Sequence, residues 1–414
     1  MTTPMPTAKL GDARIASLIL GQSPPSSSYN VQHRGLPFFQ GKADFGMVHP
    51  VPRVWCDAGQ QFARKNDVLI SVRAPVGDVN LADGDCAIGR GVTAVRAGPE
   101  ADPWFLFFAL QFVKPALEAQ ATGSTFASVN KATLLDLAIP APTISSQRAI
   151  ASALRRLMLA VEFEVDGLAN TQALKRAAMR ELFTRGLRGE AQKETEIGPI
   201  PEGWEAIPLE RLGRIGNGST PKRTVPEYWN NAHYPWLTSA KVYDREITRA
   251  DQFVSDVALA ECHLPRVKPG AVLIAITGQG KTLGHCAVLS IEASVSQHVA
   301  YIQVDPAVAD SGFVRGFLET QYEYLRQIAS GGGSTKGALT CAFLRSFQMP
   351  LPPVLEQREI VAILDAIDRK IALHKEKRAV LEALFKSLLH KLMTGEVRVA
   401  DLNLGALGRA AEAA

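Results

Sequence analysis

The segment TISSQRAIASALRRLMLAVEFEVDGLANTQALKRAAMRELFTRGLRG, Thr143 to Gly189, has a second copy in PVLEQREIVAILDAIDRKIALHKEKRAVLEALFKSLLHKLMTGEVRV, Pro353 to Val399, displaced by 210 residues. The match extends upstream without a gap. Ser124-Thr125, Leu134, Pro140, Pro142, Gln147-Arg148, Ile150, Leu154, Ala173, Leu174, Leu182 and Thr184 return as Ser334-Thr335, Leu344, Pro350, Pro352, Gln357-Arg358, Ile360, Leu364, Ala383, Leu384, Leu392 and Thr394. A repeat of this length is a stronger guide to architecture than local propensity. It makes the chain two copies of one plan, a globular unit followed by a long helix.

The helices follow from seven-residue spacing. In the second copy Ile360, Ile367, His374, Leu381 and Leu388 form one line, and Leu364, Ile371, Arg378, Phe385 and Leu392 another. Together they make the seam of a coiled coil. The first copy has Ile150, Leu157, Glu164, Thr171, Ala178 and Leu154, Val161, Leu168, Lys175, Leu182 at the same places. A helix of about 40 residues is about 60 Å long and cannot bury its seam alone. The simplest partner is the other copy, packed antiparallel. Gly167 and Asn170 allow a second reading, in which the first copy breaks into a hairpin. Both seams are apolar at the ends and polar in the middle, which either sets register or forms a water-exposed bulge.

With 414 residues the chain has room for two or three domains, and 46% apolar against 21% charged residues marks an ordinary globular protein. Five scattered cysteines, Cys56, Cys86, Cys262, Cys286 and Cys341, show no C-x-x-C spacing, so neither a disulfide framework nor a zinc site is expected. Met1 to Leu10 lacks the regions of a signal peptide. Apolar runs such as Trp104 to Leu110 are too short to span a bilayer. The expectation is a cytoplasmic protein with no membrane partner. A net charge of +4 is compatible with nucleic acid without arguing for it, so the placement of charge must decide.

The expected order is a globular unit over 1–142, a helix over 143–190, a second unit over 191–353, a second helix over 354–398 and a flexible tail over 399–414. In the first unit, Gly21-Gln22-Ser23-Pro24-Pro25-Ser26 through Tyr29 is a polar loop rich in turn formers. Leu36 to Phe39 leads into a basic loop at Lys42. Asp67 to Arg73 and Gly89 to Val95 read as strands, Trp104 to Gln120 as a helix, and Leu134 to Ile139 as a strand. The second unit runs in the same order. Its loop is Gly216 to Arg223, its apolar piece Tyr234 to Lys241, its strand Ala271 to Thr277, and its last matched segment Ser296 to Ile302. Helices and framing strands agree between copies, while the polar loops agree in position and differ in content. That pattern suits two readers of two different things.

Three motifs suggest catalysis. Ser23-Pro24-Pro25-Ser26 half-matches the motif of amino-methyltransferases, but Ser26 stands where an aromatic residue must stack on the flipped base. A proline-rigid turn is the better reading. Gly280-Lys281-Thr282 resembles the end of a P-loop, yet Ala275 replaces the first glycine. A strand-end loop offering amides, Gln279 and Lys281 to a DNA backbone fits better. His298 beside Gln297 has no second ligand at metal spacing and is either structural or a base-edge contact.

The cations Arg34, Lys42, Arg73, Arg90, Lys222-Arg223 and Lys241 fall in matched loops. Gln22, Ser26, Tyr29, Ser219, Thr220, Thr238, Ser239, Tyr243, Gln279, Lys281, Gln297 and His298 stand among them. These side-chain types contact base edges and phosphates.

The ordered set, in duplicate, resembles the specificity (S) subunit of type I restriction–modification enzymes over residues 8–398. Gly21-Gln22-Ser23-Pro24-Pro25, Leu36 to Lys42 and Ile70 to Asp78 resemble one kind of target-recognition domain. Ile200-Pro201-Glu202-Gly203-Trp204, Gly218-Ser219-Thr220-Pro221, Trp236 to Ser239 and Ser296-Gln297-His298 resemble another. Pro350-Leu351-Pro352-Pro353 with Glu356-Gln357-Arg358 resembles the start of the family's repeated spacer helix. The first copy departs at Ser145-Ser146, where the family usually has Glu before Gln-Arg.

The resemblance implies an α+β fold, with two mixed α/β target-recognition domains joined by two long helices in an antiparallel coiled coil, as a pseudo-twofold repeat. It implies a bipartite, asymmetric target in double-stranded DNA, one half-site per domain, with the helices setting the gap. It implies two methyltransferase (M) subunits and motor–nuclease (R) subunits as partners. S-adenosylmethionine, ATP and Mg2+ would sit on those partners, with no catalytic residue and no cofactor on this chain. Two rivals remain. A self-sufficient methyltransferase or nuclease would need a cofactor loop and a catalytic set. A coiled-coil scaffold without DNA specificity would not need matched polar loops.

Overall fold

The computed structural model describes residues 5–121, 127–278, 281–331 and 338–402. The chain divides into two compact units, residues 1–166 with 374–414, and residues 167–373. Each unit combines one globular domain with one half of each long helix.

The repeat is visible in both domains. In the first unit, Thr7–Lys9 pairs antiparallel with Ala138–Pro140. In the second, Glu205–Pro208 pairs antiparallel with Gln348–Leu351. The opening strand of each domain thus closes against the strand that leads into the following long helix. The main sheet of the first unit has the order Ala16–Leu20, Val92–Ala97, Val68–Ser71, Val79–Leu81. That of the second has Gly213–Asn217, Val299–Val304, Ala271–Ala275, Cys286–Leu289, Glu246–Ile247. A smaller sheet lies beside each, containing Leu36–Phe39 in the first unit and Tyr234–Leu237 in the second.

One aromatic helix backs each main sheet. Pro103–Ala119 begins at Asp102, whose Oδ1 accepts from the Phe105 N–H at 3.0 Å. Ser311–Thr320 begins at Asp310, whose Oδ1 accepts from the N–H groups of Gly312 and Phe313. A capping carboxylate fills the same role in both copies. Behind these caps, Phe105, Phe107 and Phe108 are buried in one core and Phe313 and Phe317 in the other.

Buried glutamines tie each long helix to its domain, and they explain why Gln recurs at 147 and 357. Gln147 Oε1 accepts from the Asp102 N–H at 2.9 Å, while its Nε2 donates to the carbonyls of Glu100 and Pro142, both at 2.9 Å. Gln357 Oε1 accepts from the Asp310 N–H at 2.8 Å, and its Nε2 donates to the carbonyls of Val308 and Pro352. Both amides are almost inaccessible, and these bonds satisfy them.

The first long helix is unbroken from Ile144 to Arg185, so Gly167 and Asn170 do not open a hairpin. Thr171 Oγ1 donates to the Gly167 carbonyl at 2.7 Å, within the helix. The second runs from Val354 to Thr394. In the first unit Ile150, Leu154, Leu157 and Met158 share a core with Leu388, Leu392 and Met393. In the second unit Met179 and Phe183 share one with Ile360 and Leu364. Numbers rise along one helix as they fall along the other, so the pairing is antiparallel in each unit. The polar middle is buried in part, since the Arg378 side chain is 42% exposed and pairs with Glu382. Glu164 and Thr171 are inaccessible, and Glu164 pairs with His374.

Two local expectations are corrected. Leu134 to Asp136 belongs to a helix, Lys131–Asp136, and only Ala138–Pro140 is strand. Asn130 caps that helix by accepting from the Thr133 N–H at 2.9 Å, and local capping overrides the apolar run. At the C-terminal end, Val399–Asp401 form a 3₁₀ turn, and Val399 and Leu402 pack on the first core. The rest of the expected tail, 403–414, lies outside the described residues.

Candidate nucleic-acid interface

Backbone bonds gather the polar loops of each domain at the ends of its strands. In the first unit the Gly21 N–H donates to the Val92 carbonyl at 3.0 Å and the Gln22 N–H to that of Ile88 at 2.9 Å. The Arg90 N–H donates to Ser23 Oγ at 3.1 Å, the Gly89 N–H to the Phe39 carbonyl, and the Val72 N–H to the Gly91 carbonyl. Gln22, Lys42, Arg73 and Arg90 therefore come from four separate loops that meet. Glycine makes the approach possible. A Cβ on Gly21 would lie 2.1 Å from the Gly89 carbonyl oxygen, and one on Gly91 would lie 2.1 Å from that of Gln40.

The second unit repeats the arrangement with different side chains. The Ser296 N–H donates to the Leu237 carbonyl at 2.8 Å and the Ile276 N–H to the His298 carbonyl at 3.0 Å. A Cβ on Gly218 would stand 1.6 Å from the Val295 carbonyl oxygen. The loop at Ser219-Thr220, the turn at Thr238-Ser239, the strand end at Thr277 and the pair Gln297-His298 thus converge.

Within these clusters the candidates differ in freedom. Among the described residues Arg34, Arg73, Arg90, Lys222 and Lys281 are exposed and make no ion pair. Gln22 and Gln297 are exposed as well. Lys42 is held by Asp78 at 2.8 Å, beside Lys114 at 2.7 Å. Burial works against the Asp78 carboxylate, but the two ammonium groups outweigh it and lower its pKa. Lys241 is clamped between Asp244 at 2.9 Å and Asp251 at 3.1 Å, which raises its pKa. Arg223 lies over the Trp229 ring at 3.8 Å and donates to Gln252 Oε1 at 2.6 Å.

Several candidates support the loops from within. Tyr29 donates to the Pro24 carbonyl at 3.0 Å and packs on Phe38, which with the Ser23 contact makes the Ser-Pro-Pro-Ser stretch a structural turn. Ser26 opens a 3₁₀ turn, and Arg34 closes a loop whose N–H and carbonyl both bond Asn30. Tyr29 itself belongs to the smaller sheet, where it pairs with Cys56. The Ser219 carbonyl accepts from Trp236 Nε1 at 3.2 Å, and Thr220 Oγ1 is buried without a partner among the described residues. Tyr243 shares a 2.9 Å hydrogen bond with Thr282, and the Lys281 carbonyl accepts from Tyr322 at 2.6 Å. His298 Nδ1 is 2.6 Å from Thr277 Oγ1. Gln279 and Gly280 lie outside the described residues, as do Ser124-Thr125 and Ser334-Thr335.

Sequence reasoning passed over Arg245, which forms ion pairs with Asp365 and Asp368. A separation of 120 residues to Asp365 left no local signal. Among the described residues no group of His, Cys, Asp and Glu is placed to hold a metal, and no helix is long and apolar enough to cross a membrane. A cavity of about 850 Å³ in the second unit, lined by Arg176, Phe183, Thr320 and Tyr324, lies away from the loop cluster.

A duplicated domain with matched loops of different content, each on its own half of a helix pair, defines a class of two-part recognition proteins. The model of the type I restriction modification DNA specificity domain matches residues 58–170 and 201–383, and the chain belongs to this family. A Methanocaldococcus jannaschii chain, the putative type I restriction enzyme MjaX specificity subunit, is 38% identical over 181 residues, 44% of this chain and 43% of that one. The MjaVIII specificity subunit of the same organism is 24% identical over 310 residues, 73% of this chain and 72% of that one. The chain spans less than half the length of the MjaX and MjaIX subunits that it matches. Among solved structures, the S subunit of a type I restriction-modification system from M. genitalium superposes with a TM-score of 0.62 at 17% identity, covering 95% of this chain and 96% of that one. A chain from work on complex assembly and conformational transition of the type I R-M system gives 0.59 at 20% identity, covering 96% and 100%. At these identities the likeness speaks for the fold.

Proposed function

We propose that this chain is the sequence-reading subunit of a type I restriction–modification complex. Each unit reads one half of a split, asymmetric target in double-stranded DNA. The observation that carries this reading is the convergence of polar loops at equivalent strand ends in both units, on a repeated scaffold but with different side chains. Exposed Gln22 and Gln297 offer the amide chemistry that pairs with base edges, and Arg73, Arg90 and Lys222 the charge that meets phosphates. The clamped Lys241 and Lys42 hold loops in place. The long helices, 42 and 41 residues, set the gap between half-sites.

The chain does no chemistry of its own. It directs two methyltransferase subunits, which carry S-adenosylmethionine, and motor–nuclease subunits, which use ATP and Mg2+, in the cytoplasm. The names of the relatives and the coherence of the loop clusters support this assignment. The decisive experiment maps N6-methyladenine in a methylation-free host that expresses the chain with a methyltransferase subunit. A split, asymmetric motif that disappears without this chain is expected. Absence of new methylation while the partner is bound returns the scaffold reading. Gln297→Ala should then relax one base of one half-site, at a cost of roughly 1–3 kcal/mol.

A further inference from the structure

We infer that Arg245 is a positioning residue that anchors the reading loop of the second unit to the long helices and thereby narrows the range of gaps the chain accepts. The inference rests on the function proposed above. Arg245 follows the turn Ser239–Tyr243, which carries Lys241 and Tyr243. Its carbonyl accepts from the Val288 N–H at 3.0 Å, and the next residues, Glu246-Ile247, pair with Val288-Leu289 as the sheet's edge strand. The backbone of Arg245 is therefore part of the reading domain.

Its side chain is not. The guanidinium reaches the second long helix, where it pairs with Asp365 and, through Nη1 at 2.6 Å, with Asp368 Oδ2. Asp368 Oδ1 is held by Lys175 of the first long helix at 3.0 Å. Lys175 also pairs with Glu319 at 2.9 Å, and Glu319 with Arg315 at 2.7 Å. One chain of charges thus joins the reading loop, both long helices and the aromatic helix. Lys175 and Asp368 are mostly shielded from water, so salt screens this link less than it screens a surface pair.

Among the described residues the first unit has no such link at the matching positions. The counterparts of Asp368 and Lys175 are Met158 and Phe385, which pack in the first core. The counterpart of Asp365 is Arg155, which lies over Trp104 at 4.1 Å. Apolar contact is non-directional. A guanidinium hydrogen-bonded to the Asp365 carboxylate, with Asp368 as a second ion-pair partner, constrains direction as well as distance. At these positions the directional anchor therefore belongs to the second unit.

The test uses a library of duplexes randomised in both half-sites and in gap length. Targets are selected by methylation in cells that express the full chain with one methyltransferase subunit. Arg245→Ala is expected to keep the bases preferred at both half-sites while raising the share of targets with a gap one base pair longer or shorter about tenfold. Arg245→Lys, which keeps the charge and loses the planar fork, should restore only part of the wild-type distribution, an intermediate that general destabilisation would not predict. Asp365→Asn, at a half-exposed helix position, gives a milder broadening and serves if Arg245→Ala accumulates poorly. An unchanged gap distribution in Arg245→Ala and Asp365→Asn overturns the proposal. Relaxed base preference at a constant gap also overturns it, since Arg245 would then be a reading residue. A wild-type chain that yields no split motif removes the function reading together with this inference, and is thereby distinguished from failure of the anchor alone.

Discussion

Glu164 Oε2 and His374 Nδ1 lie 2.6 Å apart although 210 residues separate them, the same interval as the sequence repeat. They are the same position of the two copies. In an antiparallel pair of copies, equivalent positions face each other at one point only. The polar middle of the seam marks that point, and with side chains 3% and 12% exposed this pair is packed between the helices and is not a water-filled bulge.

Removing one partner should cost more than removing both. Glu164→Ala leaves a buried imidazole nitrogen without its partner and is expected to lower stability by about 1–3 kcal/mol. Glu164→Leu combined with His374→Leu should be near neutral or stabilising. Urea unfolding of both variants checks this, and equal losses would contradict the pairing.

Lengthening only one long helix should disturb this contact, and lengthening both should preserve it. A heptad inserted directly after Glu164 and another directly before His374 keep the seam in phase and add about 10 Å of helix. That is about three base-pair rises of roughly 3.4 Å. The methylated motif should gain about three base pairs in its gap and keep its half-sites.

The buried glutamines should behave as a matched pair. Gln147→Ala and Gln357→Ala each remove the partner of a half-buried aspartate N–H and of two carbonyls. Each is expected to cost about 1–3 kcal/mol or somewhat more. Denaturation of the two variants should show similar losses despite their separate locations.

Two glycines of the first unit should respond in opposite ways. Gly21→Ala drives a methyl into the Gly89 carbonyl, so it should displace the loop that carries Gln22 and impair the first half-site. At Gly41 a Cβ would meet nothing within 4 Å, and the extended φ of 174° suits any residue, so Gly41→Ala should be tolerated. Binding of duplexes altered in one half-site separates the two outcomes.

Acid should weaken the charge chain of the second unit. Burial works to raise the Glu319 pKa, but Arg315 and Lys175 outweigh it and hold the carboxyl below its usual range. Its folded pKa is below the unfolded value of about 4.3, so its contribution is present above that pH and is lost as pH falls through the folded pKa. Glu319→Gln should therefore be less stable than wild type at pH 7, and the difference should shrink below about pH 4. Thermal melts across pH 3 to 7 measure it.

The amino-acid sequence by itself determined the duplicated plan, the two helical seams and the positions of the polar loops, while the structure decided that the first helix is unbroken and the pairing antiparallel. The plan, the seams and the loop positions rest on periodicity and on a self-match at a displacement of 210 residues, which are properties of order along the chain. Only the tertiary structure decided what each loop residue is free to do. Lys42 and Lys241 read as open cations like Arg73 and Arg90, yet Asp78 and the pair Asp244 and Asp251 hold them. Leu134 to Asp136 read as strand until the Asn130 cap was in view. Arg245 carried no signal because its partners lie on a helix more than a hundred residues away. Burial and ion pairing depend on which distant residues the fold brings within a few ångströms, and a linear pattern does not encode that distance.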